Sequence, residues 1–286
     1  MPARKPFRPD WSETPPAEGS YRAIFKYGAP ERFKHPSDQW YAMLKEEFGM
    51  TDADFRHKRW EGRASLRLER PCGLSERQVE ALAAIVGREN ATTDVYQRTR
   101  CAYGKTAEEM MELGRGVVRE IADLVVHPRH KEDVRRIVGY CHAEKIAVYV
   151  YSGGSSVTLG LRPAKGGVTL VMGTHMNRFL ELNETNQTAR VQPGILGPAY
   201  EKALNRAPQR FGARRRYTGG HFPQSFEYST VGGWVVTLGS GQASTYFGDA
   251  AELVVSQEYV TPTGRFTTLP FPATATGPKV NDIMIG

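Results

Sequence analysis

Two segments rich in glycine and hydroxyl groups hold the residues that could do chemistry. The first is Tyr151-Ser152-Gly153-Gly154-Ser155-Ser156-Val157-Thr158. Adjacent glycines permit positive φ and let a backbone approach a ligand closely. Successive N–H groups in such a loop can cradle phosphate oxygens, and Ser155 and Ser156 add hydroxyl donors. The same composition also suits an ordinary turn. The second runs from Gly219 to Trp234, GGHFPQSFEYSTVGGW. Its small side chains and hydroxyls could lie against a flat ligand, or form a tight buried turn. Further small-residue turns follow at Thr237–Gly241 and Tyr246–Asp249, the latter leading through ELVV toward a strand.

Other chemistries lack their residues. Neither glycine segment reads GxGxxG or ends in GK[ST], so the common dinucleotide and Walker loops are excluded. The three cysteines, Cys72, Cys101 and Cys141, are far apart and suggest buried thiols in a reducing compartment. The seven histidines are scattered without HExxH or other ligand spacing, so no metal site is expected. The net charge is +7, and its densest cluster is Arg210–Arg216, which reads as a solvated loop. A non-catalytic anion-binding fragment using this basic surface is the alternative of another class.

These segments need elements to position them. IADLVVHP, from Ile121, reads as a short buried strand, HKEDVRRIVGYCHAEK as an amphipathic helix, IAVYVY (146–151) as a strand and GVTLVM as another. Strand, helix, strand, glycine loop, strand is a nucleotide-binding layout. Residues 178–191 read as a hairpin around NETNQ, GPAYEKALNR as a helix with Pro198 in its first turn, and the stretch to Pro270 as a second hairpin turning at Pro262 and Gly264. The run after Gly232-Gly233 is read as strand-like. Upstream, helices are expected from Ser37 and Ser75, both plausible N-caps, behind a proline-rich charged arm over residues 1 to about 20.

The motifs in this order resemble the vanillyl-alcohol-oxidase (PCMH-type) FAD-binding family and, within it, the alkyldihydroxyacetonephosphate synthase (alkylglycerone-phosphate synthase) group. SGGSSVT stands in the place of that family's P-x-GGGTS-V pyrophosphate loop. QSFEYSTVGGWVVT is similar to its D-S-x-E-F-S-T-V-G-G-W-V segment, TGGHFP to C-G-H-E-P, and Thr237–Ser240 to T-R-A-S. RTRCAYGKTAEEMMELGRG and IADLVVHPRHKEDV resemble the entry segment, so the likeness runs from about Tyr96 onward. Val150 and Ser152 depart from the usual proline and first glycine of the loop, and Leu238-Gly239 from Arg-Ala.

The resemblance implies an α+β fold: a PCMH-type FAD-binding domain of two α/β subdomains with an N-terminal helical extension. The boundaries expected are 1–95 for arm and extension and 96–286 for the FAD domain, with subdomains at 117–172 and, mainly antiparallel, 178–286. It implies FAD as cofactor, held by Tyr151, Ser152, Gly153, Gly154, Ser155, Ser156, Val157, Gln224, Ser225, Ser229, Thr230, Gly232, Gly233, Thr237 and Ser240. Ser155 stands where some relatives carry a flavin-tethering histidine, so the FAD is expected to be non-covalent. Trp234 is expected to pack, and His221 to position groups without transferring protons. The implied reaction replaces the acyl chain of acyl-dihydroxyacetone phosphate with a fatty alcohol; the alternative is FAD-dependent oxidation of a 2-hydroxy acid or alcohol. Family members continue after M-I-G with an S-E-G-T-L-G stretch and a cap domain. The chain is therefore expected to be C-terminally truncated, without catalytic residues of its own and inactive alone. The expected partner is a lipid-like or hydroxy-acid small molecule, not nucleic acid. A homodimer and peripheral membrane contact are compatible with it, in a cytoplasmic or membrane-peripheral location.

Overall fold

A computed structural model describes residues 16–26, 37–56, 62–271, 275 and 277–285. Most of the proline-rich arm lies outside them. The chain divides into two compact units, one made of residues up to 68 with 105–118, the other of 69–104 with 119–286.

The first unit is helical: α1 (Tyr21–Phe25), α2 (Asp38–Phe48), α3 (Asp52–Arg56) and α6 (Ala107–Gly114). Ser37 caps α2, accepting from Trp40 N at 3.2 Å. Thr106 and Glu109 form a capping box at α6, which satisfies two of the amides a helix start leaves open. α1 packs on α6, with Ile24 and Leu113 buried.

The second unit is built on a four-stranded sheet of order β1-β2-β4-β3. Its strands are β1 (Ala91–Thr92), β2 (Leu124–Val126), β3 (Val148–Tyr151) and β4 (Val168–Val171). β1 is antiparallel to β2, whereas β2, β4 and β3 run parallel, Leu124 opposite Val168 and Val148 opposite Val168. β2 and β4 are buried along their whole length, as expected for parallel strands covered on both faces. α4 (Glu76–Val86) and α7 (Lys131–Glu144) cover one face, and Cys101 and Tyr151 pack against Val125 and Val171 on the other. Leu82, Ile85 and Val86 meet Val134, Ile137 and Cys141 over Leu124, Val126, Val168 and Leu170. α4 therefore shares this core, although it lies before the expected boundary at residue 95. Its Ser75–Gln78 capping box sets the start that the sequence predicts.

Beyond residue 172 the chain forms a hairpin, β5 (Phe179–Asn183) with β6 (Thr188–Val191), then α8 (Gly197–Asn205) and α9 (Ala207–Phe211). Phe179, Ile195, Ala203 and Leu204 make a separate small core. The second hairpin, β7 (Glu258–Thr261) with β8 (Gly264–Thr267), packs on α7, and Val260 joins the core of the parallel sheet. Among the described residues, 178–286 contain two separate two-stranded sheets, both antiparallel.

Two strand expectations are corrected. Residues 231–236 form a short helix, α10 (Val231–Val236), because Thr230 caps it, accepting from Gly233 N at 3.3 Å, and Trp234 is buried through it. Glu252–Val255 is a turn region: the carbonyls of Val254 and Val255 accept from the Asn281 side-chain amide at 3.4 and 3.0 Å, without a strand partner.

Candidate functional site

The two glycine-rich segments meet. Thr230 Oγ1 donates to Ser152 Oγ at 2.9 Å. A β-carbon on Gly153 would overlap the carbonyl oxygen of Tyr228 and come 3.0 Å from Ser229 Cα. The second segment is itself laced to residues 193–197: Val231 N donates to Ile195 O at 3.0 Å, Gly232 N to Pro193 O at 2.9 Å and Gly197 N to Ser229 O at 3.2 Å. The site thus joins the exit of β3 to the start of α10.

The loop after β3 has the properties of an anion cradle. The amides of Gly153, Gly154, Ser155, Ser156 and Val157 donate to no other group among the described residues. Gly154 sits at φ +68°, the left-handed conformation found in turns whose consecutive N–H groups bind anions. Unpaired amides are costly in a partly buried loop, so a ligand that accepts from them fits here. The glycine pair serves the protein's own packing first. Gly153 admits the Tyr228 backbone, and Gly154 faces the Tyr151 phenol, whose Cζ would lie 2.7 Å from an added β-carbon. Tyr151 belongs beneath the loop, against Cys101, Val125 and Val171. Burial pushes its hydroxyl far above the ordinary tyrosine range and the Cys101 thiol up to about 12, so neither ionises near neutrality.

The expected hydroxyls fall into two sets. Ser229 is buried, accepts from Trp234 Nε1 at 2.6 Å and donates to Ser225 O at 2.9 Å. Thr230 is occupied as cap and latch, and Thr237 donates back to Gly233 O at 2.7 Å. Ser240 donates to Asp249. These four hydroxyls serve the fold. The hydroxyls of Ser155 and Ser225 have no hydrogen-bond partner among the described residues, and that of Ser156 only long contacts to Thr158 at 3.5 Å. Gln224 and Val157 are exposed. Gly232 packs on Pro193 and Gly233 on its own cap.

Trp234 packs as expected, its ring 5.0 Å from that of His221 and 6.0 Å from that of Phe226. His221 is 4% exposed, and neither ring nitrogen has a partner among the described residues. Burial lowers its pKa and the nearby Asp249 opposes this, leaving a neutral imidazole at pH 7. Asp249, which sequence reading passed over, is held below the ordinary carboxylate range by the Ser240 and Ser244 hydroxyls. Nothing in the spacing TLGSGQASTYFGD announces that convergence. The Arg210–Arg216 cluster lies on the face of the small core. Arg210 stacks over Phe211 and Phe179, and Arg215 over Tyr217. Glu184 accepts from Tyr217 Oη at 2.9 Å and Arg214 N at 2.8 Å. No cluster of metal-ligating residues occurs among the described residues, and no helix there is long and apolar enough to cross a membrane.

The same region of the chain is similar to known proteins. A family model described as an FAD binding domain matches residues 122–270. Alkyldihydroxyacetonephosphate synthase of Dictyostelium discoideum is 32% identical over 189 residues, covering 65% of this chain and 30% of that protein. The FAD-linked oxidoreductase YgcU of Escherichia coli is 31% identical over 156 residues, 54% of this chain and 31% of its own length. A solved alkyldihydroxyacetonephosphate synthase superposes with a TM-score of 0.70 at 29% identity, over 77% of this chain and 39% of the other. The chain spans about a third of the length of the curated relatives it matches.

Proposed function

The chain belongs to the family of FAD binding domains, and from that premise we propose that it is the cofactor-binding portion of a flavin-dependent enzyme similar to alkyldihydroxyacetonephosphate synthase. The observation that carries the reading is the loop of free amides at 153–157, seated against the Ser229–Gly233 turn at the end of a parallel strand. Ligands of open α/β sheets bind outside the carboxyl ends of strands.

The residues divide the work. The 153–157 amides, with the Ser155 and Ser156 hydroxyls, hold the FAD diphosphate. Tyr151, Ser229, Thr230 and Thr237 hold the loops. Gln224, Ser225, Gly232 and Gly233 lie in or beside the same turn and, with Ser240, whose hydroxyl is held by Asp249, complete the proposed contact set. Bound FAD supplies the redox-active ring that no side chain here can replace. Neutral, desolvated His221 packs beside Trp234 in a positioning role and does not transfer protons. The FAD is held without a covalent bond.

The substrate follows the alkyldihydroxyacetonephosphate synthase relatives, whose matches extend over more of this chain than that of YgcU. It is a long-chain acyl ester of dihydroxyacetone phosphate, whose acyl chain is replaced by a fatty alcohol and leaves as the free fatty acid. Titrating the chain with FAD and following flavin fluorescence tests the cofactor: saturable quenching is expected, and its absence sinks the reading. Adding acyl-dihydroxyacetone phosphate or glycolate to the loaded protein separates the substrates. A change in the flavin absorption band with glycolate alone favours a 2-hydroxy acid dehydrogenase.

A further inference from the structure

Arg206 and Arg216 are separated in the chain by the whole of α9, yet they line one recess of about 440 Å³ with Asn205 and Gln209. The backbone brings them together. Gly212 ends α9 in the left-handed region, at φ +67°, and reverses the chain. Ala213 N then donates to Ala207 O at 3.4 Å and Tyr217 N to Leu204 O at 3.1 Å, which sets Arg216 beside the end of α8. Neither guanidinium has a hydrogen-bond or ion-pair partner among the described residues, and the Gln209 amide has none either. The acids of this region are engaged elsewhere. Glu184 accepts from Arg214 N and Tyr217 Oη, and Glu201 from Asn205 Nδ2 at 2.8 Å and Gly219 N at 3.0 Å. No Asp or Glu occurs from Lys202 to Phe226. Two uncompensated cations on one recess repel each other, and an anion between them turns that repulsion into attraction.

We propose that this recess is a phosphate-binding pocket separate from the glycine-serine loop, in which Arg206 and Arg216 hold a phosphate monoester and Gln209 donates a further hydrogen bond. The planar fork of an arginine matches the spacing of phosphate oxygens. A monoester brings about two negative charges near neutrality and three acceptor oxygens, enough for both forks. The volume leaves room for the organic group that carries the phosphate. A recess of this size suits one head group better than the run of phosphates along a nucleic acid. A soluble phosphate ester and the head group of a lipid share this chemistry. None of the lining residues belongs to the proposed FAD contact set, so the pocket does not rest on that reading.

The test titrates inorganic phosphate calorimetrically at low ionic strength, where screening is weak. It also measures retention on phosphatidylcholine vesicles with and without phosphatidic acid. The proteins are the unsubstituted chain, Arg206→Gln, Arg216→Gln and Arg215→Gln. Arg206→Gln and Arg216→Gln should each weaken phosphate roughly tenfold, as expected for a hydrogen bond between charged groups. Arg215→Gln removes the same charge from a side chain stacked on Tyr217, outside the recess, and should leave phosphate binding nearly unchanged. FAD affinity and the ligand-free thermal midpoint should be the same in every protein. Retention on phosphatidic acid vesicles that phosphate reverses identifies a lipid head group as the source; phosphate binding without retention identifies a soluble ester. Absence of phosphate binding by the unsubstituted chain overturns the proposal. So does an equal loss in Arg215→Gln, which makes the effect one of diffuse charge, or a loss that follows a lowered midpoint. A parallel loss of FAD assigns the recess to the cofactor and also overturns it. Tighter binding of duplex DNA, weakened alike in Arg206→Gln and Arg215→Gln, identifies a nucleic-acid surface instead. If the chain binds phosphate but no FAD, the cofactor reading falls and the pocket stands.

Discussion

The carbonyl of Tyr228 occupies the space that a side chain on Gly153 would need. The obstacle is backbone, which cannot swing aside as a flexible side chain would. Gly153→Ala is therefore expected to part the two loops, lowering stability by about 1–3 kcal/mol. It should weaken FAD binding further than stability alone accounts for. Chemical denaturation beside an FAD titration checks both; an alanine variant with unchanged stability would place the loops farther apart than described.

Gly154 carries a different constraint. At φ +68°, an L-residue costs about 1–2 kcal/mol, before any collision with the Tyr151 ring. Gly154→Val should abolish flavin binding. Arg215→Ala, on the far aromatic face, should leave it intact, since Arg215 stacks on Tyr217. The reverse result would move the cofactor to other loops.

Arg98 is a buried cation held by carbonyls. Its Nε donates to Ala122 O and its Nη1 to Arg70 O, each at 2.7 Å, with 3% of the residue exposed. It ties the segment before α4 to the start of β2. Truncation leaves the carbonyl of buried Ala122 unpaired and opens a cavity, so Arg98→Ala should cost about 2–4 kcal/mol. Urea unfolding would show this as a lower midpoint with an unchanged slope.

Stability should fall on mild acidification. Burial lowers the pKa of His221, and burial with the neighbouring His175 and Arg100 lowers that of His127. Each binds its proton more readily when unfolded. Their contribution is thus fully present above the unfolded value of about 6.5 and is lost as pH drops toward the folded pKa. A thermal midpoint that declines from pH 7 to pH 5, with a shallower decline in His221→Gln, is the expected pattern. An identical slope in the variant would assign the effect elsewhere.

Acid precipitation of the FAD-loaded chain should release all the yellow colour to the supernatant. The loop 152–158 contains serine, glycine, valine and threonine, and no histidine or cysteine that could tether the ring. Flavin retained in the washed pellet would contradict the non-covalent proposal.

Local sequence determined much of this protein. The caps at Ser37 and Ser75, the stripe Val134–Ile137–Cys141, the apolar runs of β2 and β4 and the hairpin at NETNQ are each written in a few adjacent residues. The two glycine-rich motifs were legible for the same reason, since backbone conformation at Gly154 depends on residue type at that position. The tertiary structure alone decided what those motifs touch. The helix at 231–236 prevails over a β-branched run because Thr230 caps it and Trp234 finds a core. The second hairpin joins the parallel sheet's core through Val260, more than a hundred residues from α7. Ser229 and Thr230 look like ligand donors in sequence, yet their hydroxyls are taken by Ser225 O and Ser152. A hydroxyl's availability depends on which partners lie within 3 Å, and those are set by contacts between segments that the chain order keeps apart.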